Sequence, residues 1–325
     1  MNFRTELSIT SKQSISHKHS IVSIGSCFAD AIGKRLKDFK FQTLVNPYGS
    51  VYNPCSIHKL LHLGLKNELP PESSYLKKDD VYFNYFFHSK LSSLNEKELR
   101  TTIDSTIREI NQKLQISDTI IITYGTAWVY KRKEEGDIVN NCHKQAASLF
   151  NKELLSEKEI QDSFDSVYQA IKKVRPNLRL ILTLSPVRHI KDTLELNAVS
   201  KAILRTSCYH LSQQYSDVDY FPAYEIMMDD LRDYRFYKDD LIHPTAFAED
   251  YIWEKFEQTY FDADTVAFIK KWKEIKNAMA HKPFHPSSTA HQQFLKSLYA
   301  KVSELKNVVN VEEELSIIKS QITAI

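Results

Sequence analysis

Glycine is scarce in this chain, six residues in 325, against the roughly 7% of an average protein. Most turns must run on other residues, so each glycine marks a place where the backbone needs a positive φ or a close approach. Cysteine is sparse too. Cys27, Cys55, Cys142 and Cys208 lie far apart with no C-x-x-C pair, which argues against a disulfide framework and a zinc ribbon. No stretch approaches the ~18 apolar residues of a membrane-spanning helix, and the opening Met-Asn-Phe-Arg-Thr-Glu-Leu lacks the apolar core of a secretory signal. An excess of one charge is also missing. The 43 basic and 41 acidic residues leave +2 with no dominant basic block, so neither nucleic acid nor a membrane is an expected partner. A soluble, cytoplasmic protein without cofactor or metal is the expectation, and its oligomeric state is left open.

What is present is ordinary globular material, 42% hydrophobic and 26% charged. The stretch Ile21 to Asp30, Ile-Val-Ser-Ile-Gly-Ser-Cys-Phe-Ala-Asp, reads as a buried strand, a sharp turn at Gly25 and a helix start. Phe28, Ala29, Ile32, Gly33, Leu36 and Phe39 then recur at helical steps. Ser26 and Cys27 therefore sit where a parallel strand hands over to a helix, which is where open α/β sheets bind ligands. A helix N-terminus there is expected to lower the Cys27 pKa and to stabilise an oxyanion. The plainer alternative is a structural turn with a half-buried cysteine.

Further strands are expected at Phe41–Val45, Thr119–Thr123, Leu178–Leu184 and Val218–Pro222, with helices between them near 57–65, 95–115, 156–174 and 194–215. This rhythm predicts βαβ units with right-handed crossovers, a three-layer α/β/α fold of flavodoxin-like strand order. Residues 1–18 read as an extended arm, and Tyr82–His88 as a hairpin or a lid. His58 and His62 lie one turn apart, the spacing of a metal pair, and are read as helix surface, with the metal pair as the alternative. A polar insertion carries Asn141, Cys142, His143 and Lys144. Residues 1–260 are expected to form the α/β domain, and 261–325, broken at Pro283 and Pro286, a helical appendage.

Asp240-Leu-Ile-His243 precedes a helix that begins with Pro244. An acid three residues before a histidine can orient the imidazole through Nδ1 and leave Nε2 for a nucleophile. A nucleophile after the first strand, with Asp and His after the last, would meet at one rim of the sheet. Arg188 and His189 also end a strand, which makes them candidates to bind an acidic or hydroxylated substrate. The loop of His143 and Lys144 follows another strand edge and is read as a substrate contact; solvated loops are the alternative for both pairs.

With these residues in view, the sequence resembles the GSCFA family: Gly-Ser-Cys-Phe-Ala stands literally at residues 25–29, and Asn-Pro-Tyr-Gly, Tyr-Gly-Thr-Ala, Asn-Cys-His-Lys, Ser-Pro-Val-Arg-His and Asp-x-x-His-Pro look like its further blocks. That family looks related to the SGNH hydrolases, esterases and acyltransferases with a three-layer α/β fold. The resemblance implies a nucleophile turn at Gly25-Ser26-Cys27, an oxyanion glycine at Gly49, and Asp240 with His243 as the catalytic pair. Aligned without a gap, Cys27 takes the nucleophile position and Ser26 replaces an aspartate. The superfamily's oxyanion asparagine falls on Ala127, so Thr126 or Asn141 would have to supply its donor. The leading expectation is an acyl-transfer enzyme, esterase or O-acyltransferase, with Cys27 or Ser26 as nucleophile and an acylated carbohydrate or other small ester or thioester as substrate. An inactive carbohydrate- or peptide-binding module is the second, and a zinc site of Cys27, Cys142, His143 and His243 the third.

Overall fold

The computed structural model describes residues 7–12 and 14–322; residues 1–6 of the expected N-terminal arm, and residue 13, lie outside the described residues. The first βαβ half holds β1 (Ser20–Gly25), α1 (Cys27–Asp38), β2 (Gln42–Val45) and α2 (Pro54–Lys66), followed by the hairpin β3 (Tyr75–Lys78) and β4 (Val81–Asn84). After α3 (Glu96–Ile116) and β5 (Thr119–Tyr124) comes an antiparallel group, β6 (Trp128–Arg132), β7 (Ile138–Val139) and β8 (Phe150–Leu154). The chain continues through α4 (Glu157–Val174), β9 (Arg179–Leu184), α5 (Thr193–Gln214), β10 (Val218–Phe221), the single turn α6 (Ala223–Glu225) and α7 (Ala246–Tyr260). Three helices close it: α8 (Ala263–Ala280), α9 (Thr289–Ser303) and α10 (Glu312–Gln321).

Local chemistry explains the boundaries. Ser26, Asn53, Asn95, Thr245, Asp262 and Ser288 each cap a helix with a side-chain oxygen, and Ser156 with Glu159 forms a reciprocal capping box at α4. β1 and β5 are buried along their whole length, as strands covered on both faces must be.

The five central strands are all parallel, in the order β10-β9-β5-β1-β2. Val22 pairs with Ile120 and Ser23 with Ile121, so the expected flavodoxin-like sheet is present. From β1 the chain turns first to β2 on one side and later to β5 on the other. Cys27 follows β1 at this switch point, where helices leave the sheet in opposite directions and open a crevice.

Alternation along the strands divides the core in two. Val22, Ile24, Ile120, Ile122, Leu180 and Leu182 face Ile57, Ile107, Phe164 and Leu204 of α2, α3, α4 and α5. Ile21, Ile121, Ile181 and Phe221 face Ile32 of α1, Trp253 of α7 and the C-terminal helices. The latter pack against this layer directly: Trp272 of α8 is buried and its Nε1 donates to Asp38 C=O at 2.9 Å.

Two sequence readings change here. The polar insertion is a small sheet in which Val129 and Val139 turn inward. His58 is no surface residue; it is 1% exposed, with Nε2 at 2.7 Å from Tyr124 Oη and Nδ1 at 2.9 Å from Ser163 Oγ. The face of α2 that carries it packs on α4 and β5, and burial lowers its pKa to about 3.

Gly25 has φ +143°, and a Cβ there would lie 2.2 Å from Thr123 C=O. Gly136 has φ +70° with open space around it. Gly25→Ala is therefore expected to cost ~3 kcal/mol or more, backbone strain plus overpacking, and Gly136→Ala only ~1 kcal/mol of strain. Urea unfolding of both variants checks the difference; equal costs would refute it.

Candidate functional site at the carboxyl edge of the sheet

The turn after β1 is held from three sides. Gly25 N–H donates to Asn46 Oδ1 at 2.8 Å, and Gly25 C=O accepts from Val51 N–H at 2.8 Å. Asn46 Nδ2 and Ser50 Oγ in turn donate to the two oxygens of Asp30, at 2.9 and 3.1 Å, binding α1 to the loop after β2. Ser26 is fully buried: its N–H donates to Thr123 C=O at 3.1 Å and its Oγ accepts from Phe28 N–H at 3.4 Å. Its hydroxyl is thus occupied as the cap. Cys27, the first residue of α1, is half-buried.

The expected depression of the Cys27 pKa is not found. Burial, with the Asp30 carboxylate next, pushes the thiol up; the Cys27 N–H, Lys201 and the Phe28 N–H pull the other way and lose. The helix N-terminus does act on the sulfur, but it is outweighed by desolvation and a like charge.

Asp240 and His243 form the anticipated pair. His243 Nδ1 lies 2.7 Å from Asp240 Oδ2, while Asp240 Oδ1 accepts from the N–H groups of Ile242 and His243 at 2.8 and 2.9 Å. These bonds hold the Asp240 pKa down at about 2. Leu241, half exposed, takes φ +57° to close the loop, a left-handed strain stored beside the imidazole. The loop docks on the end of β9 through Arg188 N–H to Ile242 C=O at 3.3 Å, and the Arg188 guanidinium stacks on Tyr237 and Tyr234 at 4.0 and 5.0 Å. Among the described residues no hydrogen bond links His243 to Cys27.

The remaining expectations divide. Gly49 N–H is used on Asn46 C=O at 2.8 Å, so it is not a free oxyanion donor; the glycine is needed because a Cβ would strike His88 at 2.4 Å. Thr126 is also occupied: its N–H goes to Tyr52 C=O at 3.1 Å, and its Oγ1 lies 3.1 Å from Ser200 Oγ and accepts from Trp128 N–H at 3.1 Å. Asn141 braces its own loop, with Nδ2 to Ser89 Oγ at 3.0 Å and Oδ1 accepting from His143 N–H at 2.8 Å. His143 is 4% exposed, stacked on Phe83, with Nε2 at 2.8 Å from Asn84 C=O and Nδ1 at 3.3 Å from Ser89 Oγ. It is a packed histidine rather than a substrate contact. Lys144 is exposed, and its C=O accepts from Lys78 Nζ. Among the described residues no three His, Cys, Asp or Glu side chains converge to hold a metal.

Two groups gain importance. His189 lies in the segment that follows β9, its backbone N–H held by Asn197 Oδ1 at 2.9 Å and its ring edge-on to Tyr52 at 5.8 Å. Burial, with the Lys201 and His243 charges, lowers its pKa to about 4. Lys201 of α5, 2% exposed, donates to Gly125 C=O at 2.8 Å and Ser185 C=O at 2.7 Å, joining the ends of β5 and β9. Burial lowers its pKa to about 7, against the pull of Cys27. The sequence carried a signal for Lys201: it lies on the same stripe as Asn197, Leu204, Cys208 and Leu211, where a lysine has no reason to be unless it binds something.

The charge balance at the thiol is testable. Iodoacetamide should alkylate Cys27 with a midpoint above the ~8.5 of a free cysteine. Asp30→Asn should move that midpoint down and Lys201→Met should move it up, read as the pH dependence of the labelling rate. A wild-type midpoint below that of a free cysteine would refute the assignment.

No curated protein matches the chain. A model described as the GSCFA domain protein, C-terminal domain, matches residues 272–324, which include α9 and α10. A model of the GSCFA family matches residues 20–256, from the first residue of β1 into α7; the chain belongs to the GSCFA family.

Proposed function

We propose that the chain is an acyl-transfer enzyme, an esterase or O-acyltransferase, in which Cys27 attacks the carbonyl of an acylated carbohydrate or another small ester or thioester. One observation carries the reading. The switch point presents the half-buried Cys27 thiol at a helix N-terminus, the neighbouring Ser26 is fully buried with its Oγ accepting the cap bond, and a hydrogen-bonded Asp240–His243 pair stands at the same carboxyl edge. Because the resting thiol is held neutral, a base must take its proton as the carbonyl is attacked. His243 Nε2 is that base, and Asp240 fixes the tautomer by accepting from Nδ1–H. The Cys27 N–H meets the developing oxyanion. The acyl-enzyme is a thioester, which water or a hydroxyl acceptor can open. A cytoplasmic location belongs to the same proposal; among the described residues no helix is long and apolar enough to cross a membrane.

A second reading, a binding module without catalysis, is favoured by the occupied Gly49 and Thr126 donors and by Ala127 at the position of the superfamily's asparagine.

Incubation with p-nitrophenyl acetate and mass spectrometry separates the two. The acyl-transfer reading expects an acetyl group on Cys27, lost in Cys27→Ala and slowed in His243→Ala. Ser26→Ala should still acylate at Cys27 while losing ~1 kcal/mol of stability with its cap. An unmodified Cys27 would leave the binding module standing.

A further inference from the structure

We propose that Arg188 is the anion-recognition residue of this site, and that the alcohol part of the ester it acts on carries a carboxylate or a phosphate. The proposal rests on the acyl-transfer reading and names its substrate class. The cation here lacks a counter-charge. Arg35, Arg175 and Arg205 are half-buried like Arg188, and each rests on a carboxylate. The Arg188 guanidinium lies instead against two rings, 4.0 Å from the centre of Tyr237 and 5.0 Å from that of Tyr234, and among the described residues no acid pairs with it. Acids of the same neighbourhood are engaged elsewhere. Asp240 spends one oxygen on the N–H groups of Ile242 and His243 and the other on the imidazole, Asp192 pairs with Lys152, and Glu225 pairs with Arg205. A partly desolvated charge without a partner costs free energy, which an anionic ligand would recover.

The group is also open to a ligand. Stacking occupies the faces of a guanidinium and leaves its in-plane N–H groups to match a carboxylate or phosphate in pairs. Arg188 is only partly buried and Tyr234 is 59% exposed, so an anion reaches them from solvent.

Their place in the fold decides which end of the substrate they meet. Arg188 N–H donates to Ile242 C=O at 3.3 Å, one residue before His243; Tyr237 pairs with Pro244, one residue after it, and Lys238 N–H donates to His243 C=O at 2.8 Å. The guanidinium and its two tyrosines therefore lie against the loop that carries the imidazole. In the transfer, the Cys27 sulfur bonds to the acyl carbon and the bond from that carbon to the leaving oxygen breaks. The leaving oxygen takes the proton that His243 removed from the thiol. The alcohol part thus sits on the His243 side of the ester, and that is the side on which Arg188 stands.

Two acetyl esters separate recognition from chemistry: 4-acetoxybenzoate, whose leaving phenol carries a carboxylate, and its methyl ester, which is neutral. The rate at which each acetylates Cys27, divided by its rate with free cysteine, gives an anion preference. In the wild type this is expected to be about tenfold, the lower end for hydrogen bonds to a charged group because the guanidinium is partly solvated. Raised salt should shrink it. Arg188→Met should abolish it, and Arg188→Lys, which keeps the charge without the fork, should restore part. Equal losses on both esters in Arg188→Met would leave the preference intact and make Arg188 a brace of the His243 loop; that result, or no preference in the wild type, overturns the proposal. Calorimetry with 4-hydroxybenzoate and phenyl phosphate tells this failure from that of the acyl-transfer reading. If neither ester acetylates Cys27 while either anion binds and Arg188→Met removes the binding, the acyl-transfer reading falls and the anion site stands. The tighter of the two anions then identifies the charged group. If there is neither acetylation nor binding, both fall.

Discussion

The close approach of Gly25 to the Thr123 carbonyl is the constraint on which the site depends. With φ +143° and no room for a Cβ, the backbone at the end of β1 turns against β5 instead of continuing as strand. It directs Ser26 N–H to the same carbonyl and starts α1 at Cys27. The loop after β2 closes on the same residue through Asn46 Oδ1 and Val51 N–H. A chain with few glycines has placed one where a parallel strand, its two neighbours and a helix start share a single peptide, and a cysteine follows two residues later. The sulfur is therefore positioned by sheet geometry, and the rigidity that catalysis or recognition requires comes from the core.

Much of this architecture was legible because its signals are local. β-branched runs gave β1 and β5, and a short leucine-rich apolar run gave β9; helical spacing gave α1 and α4; Asp240 and His243 are neighbours on one short loop, so their pairing needed no tertiary knowledge. What could not be read is whatever depends on packing between distant segments. Gly49 and Thr126 were plausible donors until Asn46 C=O, Tyr52 C=O and Ser200 Oγ took up their hydrogen bonds. His143 lay in a polar stretch, yet the β3–β4 hairpin folds Phe83 and Asn84 over it. The small sheet of β6, β7 and β8 was hidden because short strands in charged sequence carry little periodicity.

The sign of the thiol's shift shows how magnitude decides between opposing effects. A helix N-terminus favours a thiolate within its first turn, but Cys27 is also desolvated and faces Asp30. A higher pKa lowers the thiolate fraction tenfold per unit, whereas intrinsic nucleophilicity rises by only about threefold per unit at a Brønsted slope of ~0.4–0.5. A raised thiol is thus a net loss at neutral pH unless its proton is removed in the attacking step. In the proposed acyl transfer the Asp240–His243 pair is the base that this attack requires, where in a preformed thiolate–imidazolium couple the charge separation is already complete. Asp30 cannot simply be discarded, since its two oxygens tie α1 to Asn46 and Ser50: the same carboxylate that builds the turn opposes its ionisation.

Lys201 reconciles these demands. A neutral amine has two N–H groups, and two carbonyls, those of Gly125 and Ser185, are placed to accept them; a third proton would add a charge in a fully buried position. With its folded pKa near 7 and an unfolded value near ~10.4, the unfolded chain binds more protons between those limits. Stability contributed by this group therefore rises with pH from about 7 toward 10.4, and the penalty for burying the ammonium is complete only below that window. The electrostatic help Lys201 gives the thiolate has the opposite dependence, strongest where the lysine is charged. Near neutrality the site stands at the crossing of the two. The lysine accordingly ties the ends of β5 and β9 together through the Gly125 and Ser185 carbonyls, while its charged form pulls the Cys27 thiol pKa down against burial and Asp30.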